Sequence, residues 1–266
     1  MNGDGRAGEG IAPAGALSPR PPAPGSEPGS PEYRAAIAAA IEAVRERIAG
    51  ACRRVGRLAA SVELLAVTKF NPAAAVEAAY AAGIRSFGEN RVQEADAKFA
   101  SLAGSIPGGR IHLLGHLQSN KAKKAVELFD CIQSIDSMEI LNEVAKRAAA
   151  AGKVIDVLFE LHTGEESKSG FSDADEMWRA MERAMTVPSV RPRGLMTMAP
   201  YCDDEATIRS SFRMCAAAFA KARSEFGAQA IDTLSMGMTN DLELAIEEGS
   251  TMVRVGTAIF GQRVYP

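Results

Sequence analysis

Short apolar runs alternate along most of this chain with longer stretches whose apolar residues recur every three or four positions. The runs lie at 62–68, 84–87, 111–115, 131–135, 154–161, 191–198, 231–235 and 251–255. Each has strand length and is bounded by turn-forming residues. The stretches at about 72–82, 90–102, 119–129, 137–151, 173–186, 204–226 and 239–248 have helical spacing. Ser119, Ser137 and Asp173 suit helix starts, and Gly83, Gly152 and Gly249 suit helix stops. A further helix opens the pattern: Ser30 can cap it, Pro31 suits its first turn, and Tyr33, Ile37, Ile41, Val44 and Ile48 share one face. Strand and helix in strict alternation imply parallel βα units. Eight units in the 236 residues left after the first 30 predict one closed (β/α)8 TIM barrel with an extra amino-terminal helix, a fold of roughly 250 residues. The same alternation allows an open doubly wound sheet, but no Gly-rich dinucleotide loop follows the first strand.

Composition narrows the function. A net charge of −3 and a pI near 5.8 give no basic footprint for nucleic acid. Four scattered cysteines and three histidines, with no CxxC pair, do not make a zinc site, and reduced thiols predict a cytoplasmic protein. Residues 1–30 are rich in Gly, Pro, Ala and Ser and are expected to form a disordered leader, leaving 31–266 as the barrel domain. That leader lacks the basic start and apolar middle of a signal peptide. No later run approaches the roughly 18 uninterrupted apolar residues of a membrane span.

A barrel puts its active site at the carboxyl ends of its strands. The expected ring is therefore Lys69; Glu89 and Asn90; His116; Ser134 and Asp136; His162; Met198; Ser235; and Gly256 with Thr257. Lys69 closes the first strand. A partly desolvated lysine can lose its proton below its free value of about 10.4 and attack a carbonyl. After the seventh and eighth strands come Ser235-Met236-Gly237-Met238-Thr239-Asn240 and Gly256-Thr257-Ala258. Small and hydroxyl residues there leave backbone N–H groups open to an anion, where barrels commonly hold phosphate. Thr239 or Asn240 is the expected cap of the following helix. Arg254 has the inward parity of Gly256, and a guanidinium inside a barrel needs acceptors. Lysine, phosphate cradle and arginine together point to pyridoxal 5′-phosphate, held as a Schiff base on Lys69, with Arg254 donating to the ring nitrogen. An arginine stays charged, so that nitrogen stays unprotonated and the ring is a weak electron sink.

Ordered motifs then span residues 65 to 261: Leu65-Ala66-Val67-Thr68-Lys69, Phe87-Gly88-Glu89-Asn90-Arg91-Val92-Gln93-Glu94, His112-Leu113-Leu114-Gly115-His116-Leu117-Gln118-Ser119-Asn120-Lys121, Gly164-Glu165-Glu166-Ser167-Lys168-Ser169-Gly170, Gly194-Leu195-Met196-Thr197-Met198-Ala199-Pro200, Ser235-Met236-Gly237-Met238 and Val253-Arg254-Val255-Gly256-Thr257-Ala258-Ile259-Phe260-Gly261. In these the chain resembles the YggS/PROSC family of pyridoxal phosphate homeostasis proteins. The resemblance implies a single barrel like the amino-terminal domain of alanine racemase and a cofactor lysine at Lys69. It also implies cofactor contacts at Asn90, Ser235, Met236, Arg254, Gly256 and Thr257. The implied function is upkeep of the pyridoxal phosphate level with little or no turnover, with apo-enzymes as possible recipients. Phe70-Asn71, Ile111 and His162 depart from the family's usual residues, and the 30-residue leader lies outside its pattern. The alternative is an amino-acid racemase, which needs a second base on the opposite face of the substrate. The sequence stops at Pro266, so no second domain is expected to supply it; of the tyrosines, only Tyr201 is placed to reach the mouth. A cofactor-free Schiff-base aldolase would leave Arg254 unexplained. A closed barrel exposes no sheet edge, and a monomer is expected.

Simpler roles are expected elsewhere. His116 and His162 read as histidines satisfied by neighbouring loops, Lys121, Lys123 and Lys124 as a solvated helix face, and Met196, Met198, Met236 and Met238 as packing and pocket walls. The stretch 164–170 reads as a rim over the site or a solvent loop.

Overall fold

The structure, a computed structural model, describes residues 27–164 and 169–261. The strands are β1 (Glu63–Val67), β2 (Ser86–Glu89), β3 (Arg110–Leu113), β4 (Cys131–Ile135), β5 (Ile155–Glu160), β6 (Val190–Met196), β7 (Thr233–Ser235) and β8 (Met252–Val255). The helices are α1 (Pro31–Arg54), α2 (Ala73–Ala81), α3 (Val92–Ala100), α4 (Ala122–Leu128), α5 (Met138–Ala150), α6 (Ala174–Met185), α7 (Glu205–Phe226), α8 (Leu242–Glu247) and α9 (Thr257–Phe260). All strands run parallel in chain order, and β1 closes onto β8 with Leu65 opposite Arg254. The eight expected strands and the barrel are therefore present. The first 26 residues of the expected leader, and residues 165–168 of the expected rim, lie outside the described residues.

Parity along the strands builds two cores. Ala66, Phe87, Leu113, Val157 and Val253 face the helices and join one continuous apolar layer. Leu65, Val67, Leu114 and Met252 point inward and meet each other, as do Cys131, Leu158 and Met196. α1 begins as its sequence dictates: the Ser30 hydroxyl accepts from the Tyr33 N–H at 3.1 Å, and Pro31 follows. Its apolar face is buried, and the helix packs on α2, α8 and α9 across the seam where β1 meets β8. Arg47 reaches Glu243 at 2.6 Å and the Thr239 carbonyl at 2.7 Å, so α1 also ties down the loop after β7. Among the described residues no helix is long and apolar enough to cross a membrane.

Two helix starts differ from expectation. Ser119 opens a 3-10 turn, Ser119–Lys121, and α4 begins only at Ala122. α8 starts after Asp241, not after Thr239 or Asn240. The Thr239 hydroxyl is engaged instead by the Ala258 N–H at 3.3 Å, across the loop. Ser137 and Asp173 cap α5 and α6 as expected.

Candidate functional site

A cavity of about 360 Å³ opens at the carboxyl ends of β1, β6, β7 and β8. Lys69, Phe70 and Asn71 line it after β1, Ala199 to Tyr201 after β6, and Met238 to Asp241 after β7; Arg254, Gly256 and Thr257 complete it on the β8 side. Lys69, Arg254, Gly256 and Thr257 are thus brought together as expected. Ser235 lies directly beneath, buried and bonded to Arg254.

Two expected contacts are placed elsewhere. Asn90 lines a separate cleft with His116, Gln118 and Lys121, over β2 and β3. Its backbone is packed on Gly115, where a Cβ would stand 2.3 Å from the Asn90 carbonyl oxygen. Met236 has the outward parity that follows from an inward Ser235. Its side chain lies in the layer under the helices, its N–H donates to Met252, and its carbonyl accepts from Ser250. The far side of the mouth is satisfied locally: His116 Nδ1 lies 2.6 Å from Asp136, and the Ser134 hydroxyl donates to the Gly115 carbonyl at 2.8 Å. Met198 packs against the inner cluster of Cys131, Leu158 and Met196.

The segment carrying Lys69 is clamped on both sides. Thr68 N–H donates to Gly88 at 2.9 Å, Asn71 N–H to Thr68 at 3.0 Å, and the Asn71 amide to the Lys69 carbonyl at 3.1 Å. Phe70 sits at φ 64°, the only non-glycine residue with positive φ among those described, and its N–H donates to Glu94. A bulky residue in this region stores on the order of 1–3 kcal/mol and persists only where its surroundings hold it. Lys98 supplies that hold: it donates to the Thr68 carbonyl and to Glu89, both at 2.6 Å, and to Glu94 at 3.2 Å. Glu89 is fully buried and also accepts from the Thr68 hydroxyl at 2.7 Å. Burial pushes its carboxyl above the usual range, against the pull of Lys98. The sequence pattern did not flag Lys98, which looks like any lysine on an amphipathic helix.

Arg254 is buried, and its Nη1 donates to the Ser235 carbonyl at 2.7 Å and hydroxyl at 2.8 Å; Nη2 donates to the Thr197 carbonyl at 2.8 Å. All these acceptors are neutral. Burial lowers its pKa from the ordinary arginine value, while Asp241 and Glu160 oppose this through space. The guanidinium remains a cation on the cavity wall. Among the lining residues only Asp241 is acidic, and its carboxylate accepts from the Met238 N–H at 2.5 Å. That bond folds the loop after β7. Gly237, at φ 94°, is required there, since a Cβ would meet Ala245 at 2.5 Å and the Leu242 backbone at 3.2 Å. Two cations, the hydroxyls of Thr239 and Thr257, the Asn240 amide and the turn at Gly256 make a donor-rich cavity with one engaged carboxylate. The donor set fits a small anion such as a phosphate ester. Beside it stands an amine able to bond a carbonyl.

Comparison with known proteins identifies the family. Residues 41–264 match the family model described as alanine racemase, N-terminal domain. A pyridoxal phosphate homeostasis protein of Vibrio alginolyticus is 40% identical over 228 residues, covering 85% of this chain and 97% of the relative. One from Pseudomonas aeruginosa is 41% identical over 235 residues, covering 86% and 96%. Among solved structures, PipY of Synechococcus elongatus, with PLP bound, superposes with a TM-score of 0.74 at 38% identity, covering 85% of this chain and all of PipY. An alanine racemase of Streptomyces coelicolor superposes at a TM-score of 0.64 with 23% identity, covering 83% of this chain and 58% of the racemase, which is a likeness of fold alone. The chain accordingly belongs to the family of pyridoxal phosphate homeostasis proteins, built on the alanine racemase amino-terminal domain.

Proposed function

We propose that this protein binds pyridoxal 5′-phosphate, attached covalently through Nζ of Lys69, and helps to keep the intracellular level of that cofactor steady with little or no turnover. The observation that carries the reading is the sharing of one cavity by Lys69, Arg254 and the donor-rich loops at 239–240 and 256–257. When bound, the cofactor supplies an aldehyde that an amine can capture and a ring that withdraws electrons. Lys69 would hold the aldehyde carbon. Thr239, Asn240, Gly256 and Thr257 would hold the phosphate, and Arg254 would donate to the ring nitrogen and keep it unprotonated. Ser235 would act through Arg254, which it touches. Tyr201 lines the cavity but is 85% exposed. A racemase base must be held at a fixed distance on the opposite face, so the tyrosine's exposure favours the non-catalytic reading. Delivery to apo-enzymes, a monomeric state and a cytoplasmic setting are part of the same proposal.

The purified protein should absorb in the visible range, and borohydride should fix cofactor to it. Lys69→Ala should abolish the fixed adduct; an adduct retained on another lysine refutes the assignment. Loss of optical activity from single enantiomers of several amino acids, at enzyme-like rates, would overturn the non-catalytic part.

A further inference from the structure

Below Arg254 a file of hydrogen bonds descends through the barrel interior. Arg254 Nη1 donates to Ser235 Oγ at 2.8 Å, and Ser235 Oγ donates to Gln133 Oε1 at 2.7 Å. Gln133 Nε2 then stands 3.0 Å from His112 Nδ1 and 3.2 Å from Met252 Sδ. All four polar residues are buried, and His112 Nε2 has no partner. The file crosses the barrel from β8 through β7 and β4 to β3.

Its polarity follows from the guanidinium end. A guanidinium only donates, so Ser235 Oγ must accept from Arg254, and its own hydrogen goes to Gln133 Oε1. The amide then turns its NH2 toward His112, so Nδ1 must accept. His112 is therefore a neutral ring with its proton on Nε2. Each order leaves one donor unmet, His112 Nε2–H here and the Ser235 hydroxyl in the reverse, but reversing the amide would also turn Gln133 Oε1 onto Met252 Sδ, which the NH2 now meets at 3.2 Å. The surroundings agree: burial, and then the nearby charge of Arg110, hold His112 down to about 3.

We propose that Gln133 is a positioning residue for the ligand-facing arginine, aiming the Ser235 hydroxyl and through it Arg254, with neutral His112 as its anchor. The identity of the ligand rests on the pyridoxal phosphate reading; the file itself does not. Two backbone carbonyls also hold Arg254. Loss of Gln133 should therefore shift binding, not abolish it. One neutral hydrogen bond of about 1 kcal/mol corresponds to roughly a five-fold change.

The test has two arms. In the wild-type protein without cofactor, nitrogen NMR at neutral pH should show His112 protonated on Nε2 and bare on Nδ1. A proton on Nδ1 overturns the proposal, and this arm stands even if the protein takes up no pyridoxal phosphate, a result that would refute the proposed function separately. In the second arm, Gln133→Leu should weaken pyridoxal phosphate binding about five-fold and move the visible band of the bound cofactor. Gln133→Glu replaces the NH2 that faces His112 with an acceptor, so the His112 proton should move to Nδ1. Gln133→Met, closer in volume, replaces the leucine variant should that one fail to fold. Wild-type affinity and an unmoved band in a folded leucine or methionine variant overturn the role given to Gln133.

Discussion

Each end of the barrel buries a charge, and the two are handled in opposite ways. At the amino-terminal end Asp156, 2% exposed, accepts from Arg110 and Arg191, each at 2.5 Å, and lies 3.4 Å from Arg193. Arg193 pairs in turn with Asp232. At the carboxyl end Arg254, 4% exposed, finds only carbonyl and hydroxyl oxygens. Burial is nearly equal, so burial does not separate a structural charge from one meant for a ligand. The partners do. A buried ion is costly until something of opposite sign meets it. Asp156 is answered by direct ion pairs, whereas Arg254 has none among the described residues, is met by Asp241 and Glu160 only through space, and faces the cavity.

The largest effect should come from Arg254→Met. Losing a charge-assisted contact worth on the order of 3 kcal/mol should weaken pyridoxal phosphate binding by about 100-fold or more. Thermal stability should change by less than about 1 kcal/mol, because an apolar side chain removes the cost of the buried ion. Titration of the visible band and a melting curve measure both, and collapse of the fold would erase the contrast between the two ends. Asp156→Asn should do the reverse. It should lower stability by about 2 kcal/mol, less than a fully enclosed pair because its arginines reach water, and leave affinity unchanged. Denaturant unfolding beside a binding isotherm checks it.

The pH dependence of unfolding sharpens the picture of the interior between the two ends. Unfolded His112 takes a proton below about 6.5, whereas the folded ring resists until about 3. The unfolded state then binds more protons, so the contribution of His112 falls by about 1.4 kcal/mol for each pH unit below 6.5 and is flat above it. Urea unfolding at several pH values should show that slope, and His112→Asn should reduce it. The smallest effect is expected at the mouth itself. Phe70→Gly should raise stability by up to about 1 kcal/mol by relieving the positive φ, and an unchanged or lower midpoint would argue that no strain is held beside Lys69.

Much of this was legible because a parallel barrel converts strand ends into neighbours. Lys69, Arg254, Gly256 and Thr257 could be placed together by counting strands and reading parity. Met236 violates the same parity rule, and only the family resemblance implied a contact there. Asn90 ends the right strand, but the turn after Glu89 packs it on Gly115, over β2 and β3. The file through Gln133 and His112 was not legible. It depends on four strands, and the β4–β5 register shifts between Ile132 and Ile135, next to Gln133. Lys98 was hidden for a different reason: its burial depends on how α3 docks, which helical spacing does not reveal.

The cavity straddles the seam where the first strand meets the last. During synthesis Lys69 emerges long before Arg254, and pairing across so great a chain separation carries a large loop-closure cost. No partly made or seam-opened chain can present both. The ligand therefore acts by mass action on the finished barrel alone, adding stability as RT ln(1 + [L]/Kd). A bound cofactor favours the closed ring, and any excursion that parts β1 from β8 strips away every β8-side contact and leaves only the proposed bond to Lys69.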